Sequence, residues 1–137
     1  MKNQDLERNK SVIVRFDKEC VENINDDLLN EFVSEEFVNH VAPEGANGRE
    51  SFRHYIKEVL HAGLSDVRLD TYRQIAENDL VVSQKRLTAI HSGSFFGIPA
   101  TGKKIEMELI EIIRLENGRY IEHWAESNMS KVLASLK

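Results

Sequence analysis

A chain of 137 residues with 41% hydrophobic content makes one domain, large enough to bury a core without disulfides or a structural metal. Its formal charge of -5, with Lys and Arg scattered in pairs such as Lys103-Lys104, excludes the basic footprint of a nucleic-acid binder. No apolar run approaches the roughly 20 residues of a membrane span. The segment MKNQDLERNK lacks a secretory signal's apolar stretch, and Cys20 has no internal partner. The expectation is a single cytoplasmic domain over 1–137 with neither membrane nor nucleic-acid partners.

Val12, Ile13, Phe16 and Cys20 recur at helical spacing and predict a first helix from about Gln4 to Glu22. A break at Asn23 to Asn25 precedes a short helix carrying Leu28, Leu29, Phe32 and Val33. A brief extended piece, Glu36 to Val41, follows and contains His40. Turn residues from Ala42 mark a loop, after which Asn47 can cap a third helix with Glu50 at the reciprocal position. Its stripe is Phe52, Tyr55, Ile56, Val59 and Leu60, and Gly63 is expected to stop it.

From Asp66 the period changes to two, with Val67, Leu69, Thr71 and Ile75 on one side of a strand. A turn at Asn78-Asp79 leads to its partner, Leu80 to Ser92. One face of that partner carries Val81, Ser83, Lys85, Leu87, Ala89 and His91; the other carries Val82, Gln84, Arg86, Thr88 and Ile90. Neither face is cleanly apolar, so one side is expected to pack on helices and the other to meet a second subunit. Helices followed by strands make the fold class α+β. Ser127 to Leu136 predicts a closing helix with Val132, Leu133 and Leu136.

The block from Gly93 to Asn128 holds most of the chemistry. Ile105, Met107, Leu109, Glu111, Ile113 and Leu115 alternate, giving a strand face apolar except at Glu111. Asn117-Gly118 is a strong hairpin signal because both residues tolerate positive φ. A two-residue turn pairs Leu115 with Tyr120, Ile113 with Glu122, Glu111 with Trp124, Leu109 with Glu126 and Met107 with Asn128. That register puts Glu111 beside Trp124 on a ligand-sized wall and sends His123 to the opposite face, as a structural or dimer-interface residue. Glu111 is expected to be either a pocket acid whose pKa is raised by apolar neighbours or a structural acid paired with Arg or His. His91 reads as a hydrogen-bond donor to a ligand or as a strand-end histidine satisfied by backbone. The five histidines show no paired metal-ligand spacing, and Cys20 reads as helix core, so no metal and no cofactor are expected.

Several motifs carry a resemblance: ValArgPhe at Val14 to Phe16, PheValAsnHis at Phe37 to His40, GlyArgGlu at Gly48 to Glu50, the run His91 to Gly102, and the ending Ile112 to Trp124. Over nearly its whole length the chain resembles the SnoaL-like polyketide cyclases, a branch of the nuclear transport factor 2-like superfamily. The resemblance implies a cone-shaped, mostly antiparallel sheet on about three N-terminal helices, a small-molecule cavity, and a homodimer through the outer sheet face. It also implies His40 and Tyr55 near the cavity mouth. Many relatives carry an aspartate four residues beyond the tryptophan, acting as general acid/base, where this chain has Asn128. An amide orients a carbonyl but does not exchange a proton near neutral pH.

The sequence therefore predicts catalytic Glu111, His91 and Asn128, and substrate-binding Trp124, His40, Tyr55, Met107 and Leu109. The expected partner is a hydrophobic small molecule. A cofactor-free cyclase- or isomerase-type acid/base enzyme on a carbonyl compound is one reading; a non-catalytic small-molecule binder is the second, and an interaction module using the cone as scaffold is the third.

Overall fold

A computed structural model describes residues 3–42 and 48–137. The first helix, α1 (Asn3–Phe16), turns its Ile13 and Phe16 inward and continues without a break as a π-helical stretch, Asp17–Glu22, that buries Cys20 and Val21. Helix α2 (Asp26–Phe32) starts where Asn25 accepts the Leu28 N–H through its side chain at 3.1 Å, a conventional N-cap. At its other end the Arg119 guanidinium donates to the carbonyls of Asn30, Glu31 and Val33. Strand β1 (Val33–Asn39) begins earlier than the sequence suggests.

The third helical segment starts at Arg49, and Asn47 lies outside the described residues. It runs as α3 (Arg49–His54), a π-helical stretch Tyr55–Leu60, and α4 (His61–Gly63). Ile56 and Leu60 are buried and Phe52 and Val59 half-buried, so the predicted stripe packs inward except at Tyr55, which is exposed. Gly63 is needed for closeness: a Cβ there would sit 2.7 Å from the Phe95 Cβ.

Strands β2 (Leu64–Glu77), β3 (Leu80–His91), β4 (Lys104–Glu116) and β5 (Arg119–Ser127) complete a curved, unclosed five-stranded sheet of order β1-β5-β4-β3-β2. All pairs are antiparallel except β1 with β5. Asn117 and Gly118 both adopt positive φ, +53° and +75°, as the expected hairpin turn requires. Helix α5 (Met129–Leu136) docks Val132 and Leu136 on the core. The class is α+β, with helices packed on one face of the sheet. Among the described residues no helix is long and apolar enough to cross a membrane.

Bulges at Tyr72 on β2 and at Ile121 on β5 change which later side chains of those strands face the helices. On β2 the register slips between Thr71 and Arg73, so Gln74 turns inward to donate to Ser83 Oγ at 3.2 Å, while Ile75 is 62% exposed. The expectation that Ile75 continues the apolar face is thereby corrected. On β5 the slip follows Tyr120: Leu115 pairs with Tyr120, but Arg114 pairs with Glu122. One extra residue, Ile121, reverses every later side chain on the strand.

Candidate functional site

The β5 bulge overturns the expected pairing. Glu111 faces Ala125, Ile113 faces His123, and Ile112 faces Trp124. His123 therefore points inward and is buried, whereas Trp124 joins Ile112 on the outer face. A simple strand would put Tyr120 and His123 on opposite faces, since they are three residues apart; the bulge places both inside.

Inside the cone these residues meet a lysine. On β3 the face carrying Val81, Ser83, Lys85, Leu87, Ala89 and His91 is wholly buried, and Lys85 is 1% exposed. Its Nζ lies 2.7 Å from Asp17 Oδ2 and also contacts Glu111 Oε1. Asp17 is 3% exposed and Glu111 7%. His123 Nε2 is 3.1 Å from Glu111 Oε2, and its Nδ1 is 2.9 Å from Asn39 Oδ1. A chain of contacts Asp17–Lys85–Glu111–His123–Asn39 thus links the π-helical continuation of α1 to β3, β4, β5 and β1.

Burial pushes the Asp17 carboxyl up to about 7, against the pull of Lys85 and aided by the charge of Glu111. Burial also acts to raise Glu111, but Lys85 and His123 outweigh it and hold that carboxyl at about 2. The upward shift of the first reading of Glu111 is thus reversed, and its contact with His123 matches the second, because its neighbours are cationic and hydrogen-bonding as well as apolar. Lys85 is kept above its ordinary value: burial acts to lower it, and the carboxylates of Glu111 and Asp17 more than compensate. The two acids flank one ammonium and titrate as a coupled set.

Aromatic rings pack beside the His123 end of the cluster. Phe16 lies 4.6 Å from Tyr120 and 5.5 Å from Phe52, ring centre to ring centre; Phe52 in turn lies 5.2 Å from Phe37 and 6.2 Å from His123. Phe52 is the half-buried member of this set. Two surface grooves, one along α1 beside Gln74 and one around His61 at the start of β2, are lined by other residues than the cluster.

The other residues singled out by sequence do not converge on one site. Met107 and Leu109 share the inner side of β4 with Glu111, Met107 buried and Leu109 half-buried. His91 is fully buried, with Nδ1 2.8 Å from Thr101 Oγ1 and Nε2 3.1 Å from the Ile98 carbonyl, so both ring nitrogens hold the loop before β4. It stands six residues up β3 from Lys85, about 20 Å along an extended strand. Asn128 accepts the Glu108 N–H through Oδ1 at 3.0 Å and donates its own N–H to the Glu108 carbonyl, extending the β4–β5 ladder. His40 stacks on Trp124 at 4.6 Å on the outer face, with Nε2 2.9 Å from Glu122. Tyr55 is 37% exposed on the third helical segment, and burial of its hydroxyl raises its pKa.

Sequence reading missed Asp17, Lys85 and Tyr120 as site residues. Asp17 sits four residues after Ile13 in the helical stripe, and Lys85 lies mid-way along a strand face that is otherwise mostly apolar. A charge on an apolar face requires a buried partner, and that was the available signal. Among the described residues no group of three or more His, Cys, Asp or Glu side chains is placed to hold a metal ion.

Comparison with functionally curated proteins returns no match. Among solved structures, a candidate SnoaL-like polyketide cyclase from Jannaschia sp. CCS1 superposes with a TM-score of 0.86 at 21% identity, covering 99% of this chain and 96% of that one. IdmH, a candidate polyketide cyclase from Streptomyces antibioticus, gives 0.81 at 24% identity over 93% and 97%. AclR, a candidate hydroxylase from Streptomyces galilaeus, gives 0.80 at 23% identity over 96% and 96%. At these identities the likeness establishes the fold alone. The profile of the SnoaL-like polyketide cyclases matches residues 11–136, nearly the whole chain, and the chain belongs to that family.

Proposed function

We propose that this protein is a cofactor-free acid/base enzyme that moves a proton on a hydrophobic carbonyl compound admitted to the cone. The observation that carries this reading is one buried lysine flanked by two carboxyls whose proton affinities are driven apart, Asp17 up to about 7 and Glu111 down to about 2. Divergent acids in one dry site suit proton transfer, and a carrier works best with a pKa near the working pH. Asp17 meets that condition; Glu111, held ionised, is a weak base. Asp17 therefore takes the proton-carrying role, with Lys85, Glu111 and His123 fixing its charge environment. The aromatic set of Phe16, Phe37, Phe52 and Tyr120 supplies the apolar wall for the carbon frame.

The test is exchange of α-hydrogens for deuterium in D₂O across a panel of polycyclic ketones, followed by mass spectrometry. The wild type is expected to exchange at least one member. Asp17→Asn should lower that rate by a factor of about 10² to 10⁴, the range for loss of a general acid/base. Exchange unaffected by Asp17→Asn would sink the assignment.

One observation favours the second reading, a non-catalytic binder. The Asn128 amide, at the family's acid/base position, is spent on the backbone of Glu108. A binder returns every bound ketone with unchanged mass after long incubation in D₂O.

The outer sheet face supports a homodimer. Ile110 is 49% exposed there, beside half-buried Ile112 and Trp124, and Val38 on β1 is 37% exposed. Sedimentation at micromolar concentration should give a dimer, and Ile110→Glu should convert it to monomer with a shift in Trp124 emission. A wild-type monomer under these conditions overturns this assembly.

A further inference from the structure

The Tyr120 residue is 2% exposed, and its buried hydroxyl has no hydrogen-bond partner among the described residues. Buried tyrosine hydroxyls ordinarily find a partner, and each exception calls for a physical reason. The ring is fixed against Phe16 at 4.6 Å. The hydroxyl feels the charges of both Asp17 and Glu111, which together with burial keep it protonated far above the ordinary range. It is thus a donor, within electrostatic reach of the proton carrier, with no acceptor among the described residues. The bulge at Ile121 adds a second observation. It places Tyr120 and His123 together on the inner face and so concentrates polar groups at this point of the core.

We propose that the Tyr120 hydroxyl is the donor that receives the carbonyl oxygen of a ligand bound inside the cone. This deepens the preceding reading and rests on it for the proton step. When Asp17 takes the α-proton, the C–H pair becomes a C=C bond and the carbonyl π pair moves onto oxygen. The resulting enolate oxygen accepts the Tyr120 O–H bond, and return of the proton from Asp17 reverses the change. Donors aimed at oxygen where charge develops are strongest in a water-excluded site. The same hydroxyl would select ligands with an oxygen at the inner end of an otherwise apolar frame.

Tyr120→Phe is the test, with 2-naphthol as an oxygen-bearing apolar probe titrated by its own fluorescence. Wild type should bind it saturably and Tyr120→Phe about 3- to 10-fold more weakly, the value of one hydrogen bond to a neutral oxygen. The melting temperature should be unchanged or raised, because the variant removes an unpaired polar atom. Absence of binding to wild type, equal binding by both proteins, or a marked loss of stability in the variant would each overturn the proposal, the last by revealing a structural partner such as bound water. The two readings separate cleanly. Ketone exchange retained in full by Tyr120→Phe leaves Asp17 chemistry standing without this donor. Probe binding lost in Tyr120→Phe, with no exchange by wild type, leaves the oxygen site standing in a binder.

Discussion

Lys85→Met should lower the melting temperature at pH 7 by roughly 10–20 °C. Methionine matches the lysine stem in length and packs well, so lost apolar contact is a small part of the change. The cost arises from what remains. Asp17 and Glu111, 3% and 7% exposed, would face each other across an apolar gap with no cation between them. Removing one member of a buried ionic set costs about 3–5 kcal/mol, and in a domain of this size each kcal/mol moves the midpoint by roughly 3–5 °C. The accompanying signature is rescue. Adding Asp17→Asn and Glu111→Gln to Lys85→Met removes the stranded charges and should recover most of the loss, since such sets are often replaceable as a unit. The exposed Arg86–Glu108 pair is the contrast: truncating Arg86 should leave the melting temperature nearly unchanged, since solvent screens that pair. A Lys85→Met protein melting within a few degrees of wild type would mean that water reaches the cluster.

What the sequence reveals of this fold follows from which features leave a local trace. The Asn117-Gly118 hairpin was legible because positive φ at two successive residues restricts residue choice, and Asn25 was legible as a boundary because its side chain caps the helix it precedes. The bulges were not. Ile121 and Tyr72, the extra residues, are good strand formers and carry no mark of being unpaired, yet each reverses the faces downstream. This one slip exchanged His123 and Trp124 between the inside and the outside of the cone. It also removes Trp124 as a reporter of an interior ligand, since its indole stacks on His40 at the outer surface. The cluster was half legible. Glu111 stood out in its strand, but the group that sets its charge comes from β3 and the second acid from the start of a π-helical stretch. A sequence gives burial pattern far more readily than the pairing of distant charges.

The pH dependence of stability offers the sharpest reading of the two acids, because they act in opposite directions. Glu111 is held at about 2 against an ordinary 4.5, so the native state binds fewer protons than the unfolded chain between those values, and stability rises with pH across that window. Asp17 is raised from 3.8 to about 7, so the native state binds more protons there, and its contribution is lost as pH climbs through 7. From these two groups, stability should peak near pH 4 to 5 and decline toward neutrality, with a limiting slope of about 1.4 kcal/mol per pH unit for one proton. Asp17→Asn isolates the second limb, since an amide resembles the protonated acid and does not ionise. Relative to wild type it should therefore gain stability from pH 5 to about pH 7 and level off above that. Urea unfolding at intervals across that range measures the difference directly. A difference that stays constant from pH 5 to pH 8 would show that Asp17 does not exchange its proton in this window, and the proton-carrying role would pass to another group.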